Sequence, residues 1–443
     1  MTKAMLKITK WIATILSVLL MVFLIAIIGL LFTNAGLNVL LWGAQQAVPQ
    51  LQVATTQGAL FPRFTLNQVA FIDDDLHLDL KAKRVTLAVN ANCLFEPALC
   101  VQELAVIGLD FAMPELPPES DETQVAESEP VTAISTPVPI TIGRVVLNDI
   151  KLDILGNKIA WQSFSTNASM FGNRLKIGKT SWNDIQLSLA PNEAESAMPT
   201  AAESERQPIV LPDVTIPLQV ELMRFDINNF ILQQAEPIVV NHLGLVANAY
   251  QHNVSLKALE LDLPLLVANL KADVRLQGEY PFNLSLKSTI KQAEANGQTV
   301  ALDAFGSVND LTLDAKFGGL AQATLHAQLS PLDPELPFDI VLDDVQAQWP
   351  LIGQGDYFIS VPTLKTQGSL QGYNLTLQTQ LKGKDLPDVS LDVAGKGTLE
   401  QIALESLLVE TLGGSVRGQA MANWQAPINW QAALTMQDIQ RGF

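Results

Sequence analysis

Residues 76–90 read LHLDLKAKRVTLAVN, apolar and polar side chains in turn, and this alternation decides the fold. Successive side chains of a strand point to opposite faces, so a period of two gathers leucine and valine on one side and Asp, Lys and Thr on the other. The same pattern fills FTLNQVAFI (64–72), VVLNDIKLDIL (145–155), DIQLSLA (184–190), KALELDLPLLV (257–267), FNLSLKSTI (282–290), LTLDAKFGG (311–319), FDIVLDD (338–344), YNLTLQTQL (373–381) and VSLDVAGKG (389–397). Turn formers separate the runs: Asp73-Asp74-Asp75, Gly156-Asn157, Gly318-Gly319 and Gly413-Gly414. Asn296-Gly297 predicts a tight hairpin turn with positive φ at both residues. No segment after Val48 keeps a helical period for ten residues. Residues 51–443 therefore read as all-β, an elongated antiparallel sheet of successive hairpins curled into an apolar groove.

What precedes the sheet is a different kind of sequence. Trp11 to Phe32 (WIATILSVLLMVFLIAIIGLLF) holds no charged residue and follows Lys3, Lys7 and Lys10. At about 1.5 Å per residue a helix of this length crosses the hydrocarbon core of a bilayer. A cleaved secretory signal is the alternative, but its apolar region is usually only about 7–15 residues, and Thr33-Asn34-Ala35 matches a cleavage site poorly. No Lys or Arg follows until Arg63, so the positive-inside rule places residues 1–10 in the cytoplasm and the rest beyond a single-pass anchor. Next, Leu37, Leu40, Leu41, Ala44 and Val48 recur at helical spacing until Pro49, which predicts a short amphipathic helix over 35–48. Three placements are open to it: continuing the anchor, lying at the membrane interface, or plugging the end of the sheet.

Charge narrows the partners. Three of the 27 basic residues and none of the 45 acidic ones precede the anchor, leaving 24 basic against 45 acidic, a charge of −21, beyond it. Such a body repels phosphates, which excludes a nucleic-acid partner, and it opposes adhesion along an anionic membrane surface. Cys93 and Cys100 flank one short loop with Glu96-Pro97 at its middle; in an oxidising compartment they are a candidate disulfide, and in a reducing one a pair of small buried residues. Two stretches, 114–139 and 191–208, are rich in Pro, Glu, Ser and Ala; they bury too little apolar surface to offset ordering entropy and read as flexible acidic loops. The last residues, NWQAALTMQDIQRGF, stop inside a strand-like alternation, as in a fragment of a longer chain or a product cut short.

Chemistry-bearing residues do not converge. His77, His242, His252 and His326 are scattered, with no metal-ligand spacing among them, and Asp73-Asp74-Asp75 lacks the alternation and distal Glu of a calcium loop. There is no phosphate-cradling glycine loop, nucleophile elbow or HExxH. The sequence reads as non-enzymatic, without cofactor or metal.

The apolar face itself remains. A long sheet with one apolar face needs a second sheet, a helix layer or a ligand as cover. A closed sandwich is the ordinary solution. A curled gutter that meets phospholipid acyl chains is the other, and it needs an unbroken lining because each buried methylene is worth about 0.8 kcal/mol. The candidate lining consists of Leu78, Leu80, Leu87, Val89, Leu152, Ile154, Leu187, Leu189, Leu261, Leu263, Leu284, Leu286, Leu311, Leu313, Ile340, Leu342, Leu375, Leu377, Leu391 and Val393.

Four stretches carry a family resemblance: GLNVLLWGAQQAVPQLQV (36–53), the Cys93 to Cys100 loop with VQELAVIGLDFAMPELPP after it (101–118), TPVPITIGRVVLNDIKLDI (136–154) and ESLLVETLGGSVRGQAMANWQAPINW (405–430). Together, in this order, they resemble the TamB family of inner-membrane subunits of the translocation and assembly module, within the wider AsmA-like group. The resemblance implies a periplasm-spanning β-groove that carries phospholipid between inner and outer membranes and, with the outer-membrane barrel protein TamA, supports insertion of outer-membrane proteins and autotransporters. It implies functional roles for the anchor, the cysteine pair and the groove lining, and no catalytic residues. It departs in length, since family members are longer and end in a C-terminal domain that contacts TamA, to which nothing here corresponds. A second class of function is a scaffold that offers strand edges to outer-membrane protein clients by β-augmentation, without lipid.

Overall fold

A computed structural model describes residues 2–73, 77–90, 93, 96–114, 134–190, 209–425 and 427–440, with side chains from residue 15 onward. The chain forms two compact units, Met1–Glu195 with Pro217–Val239, and Ser196–Ile216 with Val240–Phe443.

The first unit opens with α1 (Thr2–Phe32), whose stretch Ile15–Phe32 is long and apolar enough to cross a membrane and, among the described residues, touches the rest of the protein only near its end, at α2 and Phe61. Thr33 stands in extended backbone and its hydroxyl accepts from the Gly36 N–H at 3.1 Å, capping α2 (Asn34–Ala47). The chain bends so tightly here that a side chain on Gly36 would lie 2.2 Å from the Leu30 carbonyl oxygen. Glycine is needed at that position. Eight strands follow: β1 (Leu51–Gly58), β2 (Arg63–Asp73), β3 (Leu78–Val89), β4 (Leu99–Met113), β5 (Thr136–Ile154), β6 (Asn157–Gly172), β7 (Arg174–Ser188) and β8 (Ile216–Gln233). Each pairs with the next in chain order. Cys93 and Cys100 are bridged, clipping the connection that enters β4.

Two pairings differ from the expected run of hairpins. β4 and β5 are parallel, and so are β7 and β8. A parallel neighbour requires the chain to return to the end from which it started, which takes a dozen or more residues. The two acidic stretches lie in just these two connections. Of the loops expected over 114–139 and 191–208, residues 115–133 and 191–208 lie outside the described residues, whereas Thr136–Pro139 already belong to β5. Asp74 and Asp75 also lie outside them.

The second unit holds β9 (Ile238–Gln251), β10 (Asn253–Asp262), β11 (Leu266–Arg275), β12 (Phe282–Ile290), β13 (Thr299–Gly306), β14 (Leu311–Gly318), β15 (Gln322–Leu329) and β16 (Phe338–Trp349). It continues with β17 (Tyr357–Ser369), β18 (Gly372–Gly383), β19 (Leu386–Gly397), β20 (Gln401–Thr411), β21 (Gly414–Asn423) and β22 (Asn429–Gln437). Every pairing here joins chain neighbours antiparallel. Among the described residues no pairing joins β1 to β8 or β9 to β22, so the twenty-two-stranded sheet is open within each unit.

The turn at Asn296-Gly297 departs from expectation. Asn296 has φ −60° and only Gly297 is left-handed, at φ 83°, with Gln298 N–H donating to the Ala295 carbonyl at 3.0 Å. That is type II geometry, reached after a short 3₁₀ turn over Ala293–Ala295. The doubly left-handed geometry occurs instead at Leu155-Gly156 (φ 53° and 79°) and Leu412-Gly413 (53° and 74°).

Candidate functional site

Residues paired across two strands point to the same face, so strand register traces each row of side chains across a sheet. In the second unit one row runs Leu245, Leu259, Leu270, Leu286, Leu302, Ala315, Leu325, Leu342, Leu364, Leu377, Val393, Leu407, Gly418, Leu434, one residue from each strand from β9 to β22. At about 4.8 Å between strands this is an apolar track on the order of 60 Å long within that unit. The adjacent row alternates large and small through Leu256, Ala272, Leu284, Ala304, Leu313, Ala327 and Ile340, and continues by way of Thr366 to Leu375. Ala304, Ala315 and Ala327 are buried because the larger neighbours close over them. A third row adds Phe282, Leu311, Leu329, Phe338 and Tyr373, with Gly397 under the Tyr373 ring.

The opposite face is polar. Beside Leu286 in β12 lies Ser285, whose row contains Lys271, Asp303, Asp314, His326 and Lys365. His326 Nδ1 sits 2.6 Å from Asp314 Oδ1, and His242 Nε2 4.0 Å from Glu260 Oε2. His252 Nδ1 is 2.9 Å from the Val214 carbonyl. Among the described residues no three His, Cys, Asp or Glu side chains group as metal ligands would.

The first unit builds its apolar face by another rule. One row is Leu51, Phe71, Leu80, Phe111, Leu152, Ile159, Leu187, Leu232, apolar in all eight strands. A second is Leu66, Val85, Val106, Leu147, Phe164, Trp182, Ile227. In β5 the two rows contribute Leu152 and Leu147, and in β7 Leu187 and Trp182, each five residues apart; strict alternation would put such a pair on opposite faces. Rings settle the side: Trp161 and Phe164, three apart in β6, both pack edge-on against Trp182, at 5.4 and 5.9 Å. The apolar spacing is thus two, three, two, as in Leu104, Val106, Leu109, Phe111 of β4 and Phe225, Ile227, Phe230, Leu232 of β8.

Left-handed residues cause the phase change. Gln68, Gly108, Asp149, Asp184 and Asn229 have φ from 53° to 67° and stand at equivalent heights in β2, β4, β5, β7 and β8. Each turns its strand so that alternation restarts out of phase, the effect of a bulge repeated in register. A flat uncovered sheet leaves its side chains half exposed. Ile150 and Ile185, beside this row, are only 1% exposed. Since extended contacts among the described residues of this unit run only between neighbouring strands, from α1 to α2 and from α2 to β1, the sheet must curl over its own apolar face.

The expected lining residues fall on these faces by register. Leu284, Leu286, Leu311, Leu313, Ile340, Leu342, Leu375, Leu377 and Val393 lie in the three rows of the second unit, and Leu261 and Leu391 in the row beyond. Leu80, Leu87, Val89, Leu152 and Leu187 share the face of the first unit, with Leu78 and Ile154 at strand ends. Leu189 and Leu263 stand one residue past β7 and β10. Period-two reading passes over Trp161, Phe164, Trp182 and Ile185; the two-three-two spacing is the signal that finds them.

Comparison with known proteins gives a consistent result. A family model described as the TamB N-terminal domain matches residues 23–442. The chain is 21% identical over 444 residues to the translocation and assembly module subunit TamB of Haemophilus influenzae, a match covering 92% of this chain and 34% of that protein. The chain therefore spans about a third of the length of that curated relative. No solved structure matches it.

Proposed function

This chain belongs to the TamB family, and on that premise we propose that it takes up phospholipid acyl chains on the apolar faces of its sheets and passes them toward the outer membrane. In this reading α1 is a single-pass anchor in the inner membrane, its N-terminus is cytoplasmic, and both sheets stand in the periplasm. The chain works there in a translocation and assembly module with the barrel protein TamA, and it converts no substrate chemically.

The observation that carries this reading is the row from Leu245 to Leu434, without a polar side chain in fourteen successive strands. A sheet that needed only solubility would gain nothing from such continuity. A lipid tail does need it, because each methylene that meets water along the way costs about 0.8 kcal/mol. Among the described residues no second layer packs over the face within either unit, which leaves room for such a ligand.

Photo-crosslinking at Leu286 and at its neighbour Ser285, with mass spectrometry of the adducts, tests the proposal. Phospholipid trapped at Leu286 but not at Ser285 is the expected result. Crosslinks from Leu286 to the chain's own strands alone would mean a closed core, and the strand-edge scaffold would replace lipid transport as the function.

A further inference from the structure

Helix α2 buries Gly36 and Leu37 against the protein, and beside them the exposed Asn34 and Asn38 hold the Thr56 hydroxyl of β1 through their side-chain carbonyls. Its outward face carries Val39 and Trp42, exposed by 56% and 64%, with Ala35, Gly43 and Gln46 around them. A helix whose outer face met water would carry charged or polar residues in place of Val39 and Trp42.

The surroundings repeat the anomaly. From Trp11 to Pro62 the chain contains no Asp, Glu, Lys, Arg or His, although 16% of all residues are Asp, Glu, Lys or Arg. That stretch comprises α1 from Trp11 onward, α2, β1 and the turn into β2, and the fold draws the end of α1, α2 and the turn together. Phe61 of the turn donates its N–H to the Leu31 carbonyl at 2.9 Å, and its ring meets Phe32 edge-on at 5.2 Å. The turn is thereby fixed at the end of the apolar span Ile15–Phe32, and α2 begins two residues after it.

We propose that α2 lies in the headgroup region of the leaflet into which α1 emerges, with Val39 and Trp42 turned into lipid and Asn34 and Asn38 turned to the protein. Tryptophan is favoured at this depth because its ring is apolar and its N–H finds polar partners. A helix held this way sinks its apolar face about 5–10 Å below the headgroup boundary. The seat requires only that α1 span a bilayer. It does not depend on lipid conduction.

Spin labels on the full chain in phosphatidylcholine vesicles test it. No free cysteine competes among the described residues, and Val39→Cys and Trp42→Cys replace exposed side chains, so neither disturbs packing. Labels at 39 and 42 should collide more with oxygen than with a water-soluble nickel chelate, and a label at Asp303→Cys should do the opposite. Chelate accessibility at 39 and 42 equal to that at 303 would overturn the proposal and put α2 in water. A split between 39 and 42 would overturn it as well, since both occupy one face. None of these outcomes bears on Leu286, so the lipid reading is judged separately.

Discussion

Asn229 donates from Nδ2 to Oδ1 of Asp184 at 2.7 Å, and both residues hold left-handed backbone, φ 57° and 56°, in neighbouring parallel strands. The bond joins two members of the row that rephases the first sheet. Short polar side chains tolerate this conformation, and β-branched ones do not.

Asp184→Val should therefore lower stability by about 1–3 kcal/mol, read as a shift in the denaturant midpoint. Asp184→Asn, which keeps both the conformation and an acceptor, should stay within about 0.5 kcal/mol. Equal midpoints for the two variants would mean that the backbone geometry at this position carries no constraint.

In the second sheet the matching constraint is space. A methyl group on Gly397 would lie 2.4 Å from Cζ of Tyr373, whose ring is also bounded by Phe338 at a centroid distance of 6.1 Å. Gly397→Ala should cost about 1–3 kcal/mol by overpacking. In a Tyr373→Ala background the same change should cost much less, because the clash has gone. A double-mutant cycle on thermal or denaturant midpoints measures that coupling, and purely additive effects would show that the ring lifts freely from the glycine.

The contrast between the sheets explains what could be read from residues alone. Strict alternation, as in Leu311 and Leu313 or Leu375 and Leu377, reports its face directly, because the register shifts of the second unit fall outside those stretches. Phase changes at Asp149 and Asp184 hide the same information in β5 and β7, since nothing in a single Asp says that its φ is positive. The parallel pairings of β4 with β5 and β7 with β8 are also absent from local pattern. They follow from where a long connection returns, a non-local choice that 114–139 and 191–208 permit by their length and do not announce by composition. The disulfide was legible from two cysteines around a turn. The outward patch of Val39 and Trp42 on α2 was not, because the stripe read from helical spacing, Leu37, Leu40, Leu41, Ala44 and Val48, leaves both residues out.

One titrating group ties two hairpins of the second unit. Asp262 accepts from Lys291 Nζ at 2.5 Å and from Asn241 Nδ2 at 3.0 Å. The Lys291 hydrogen bond, then the Asn241 one, holds its carboxyl below the ordinary 3.8, against a smaller opposing effect of desolvation. A depressed folded pKa contributes stability above the unfolded value, and that contribution is lost as pH falls through the folded value. Wild type should accordingly melt higher than Asp262→Asn near neutral pH, and the gap should close as pH drops below 3.8. A gap unchanged in acid would assign the difference to something other than this charge; no gap at neutral pH would mark the pair as a screened surface contact.

Leu286 faces Leu270 and Leu302 directly, whereas Ser285, one residue away, faces Lys271 and Asp303. Arginine at these two positions therefore meets opposite environments. Leu286→Arg places a charge among leucines and interrupts the row at its fourth strand; a bound acyl chain would have to leave that charge hydrated or desolvate it, and unpaired desolvation costs several kcal/mol or more. Ser285→Arg gains Asp303 as a neighbour and leaves the row whole. Phospholipid co-extracted with the purified protein should fall several-fold for the first variant and stay at the wild-type level for the second, with Leu286→Thr, small and suited to a strand, giving an intermediate loss. Circular dichroism and thermal midpoints on the same samples separate lost lipid from a lost fold. Outer-membrane protein insertion measured in cells distinguishes the two functions: strand-edge assistance uses backbone groups and should survive Leu286→Arg, while lipid passage should not. If lipid content is unchanged in a folded Leu286→Arg protein, the leucine row is not the path of the acyl chain.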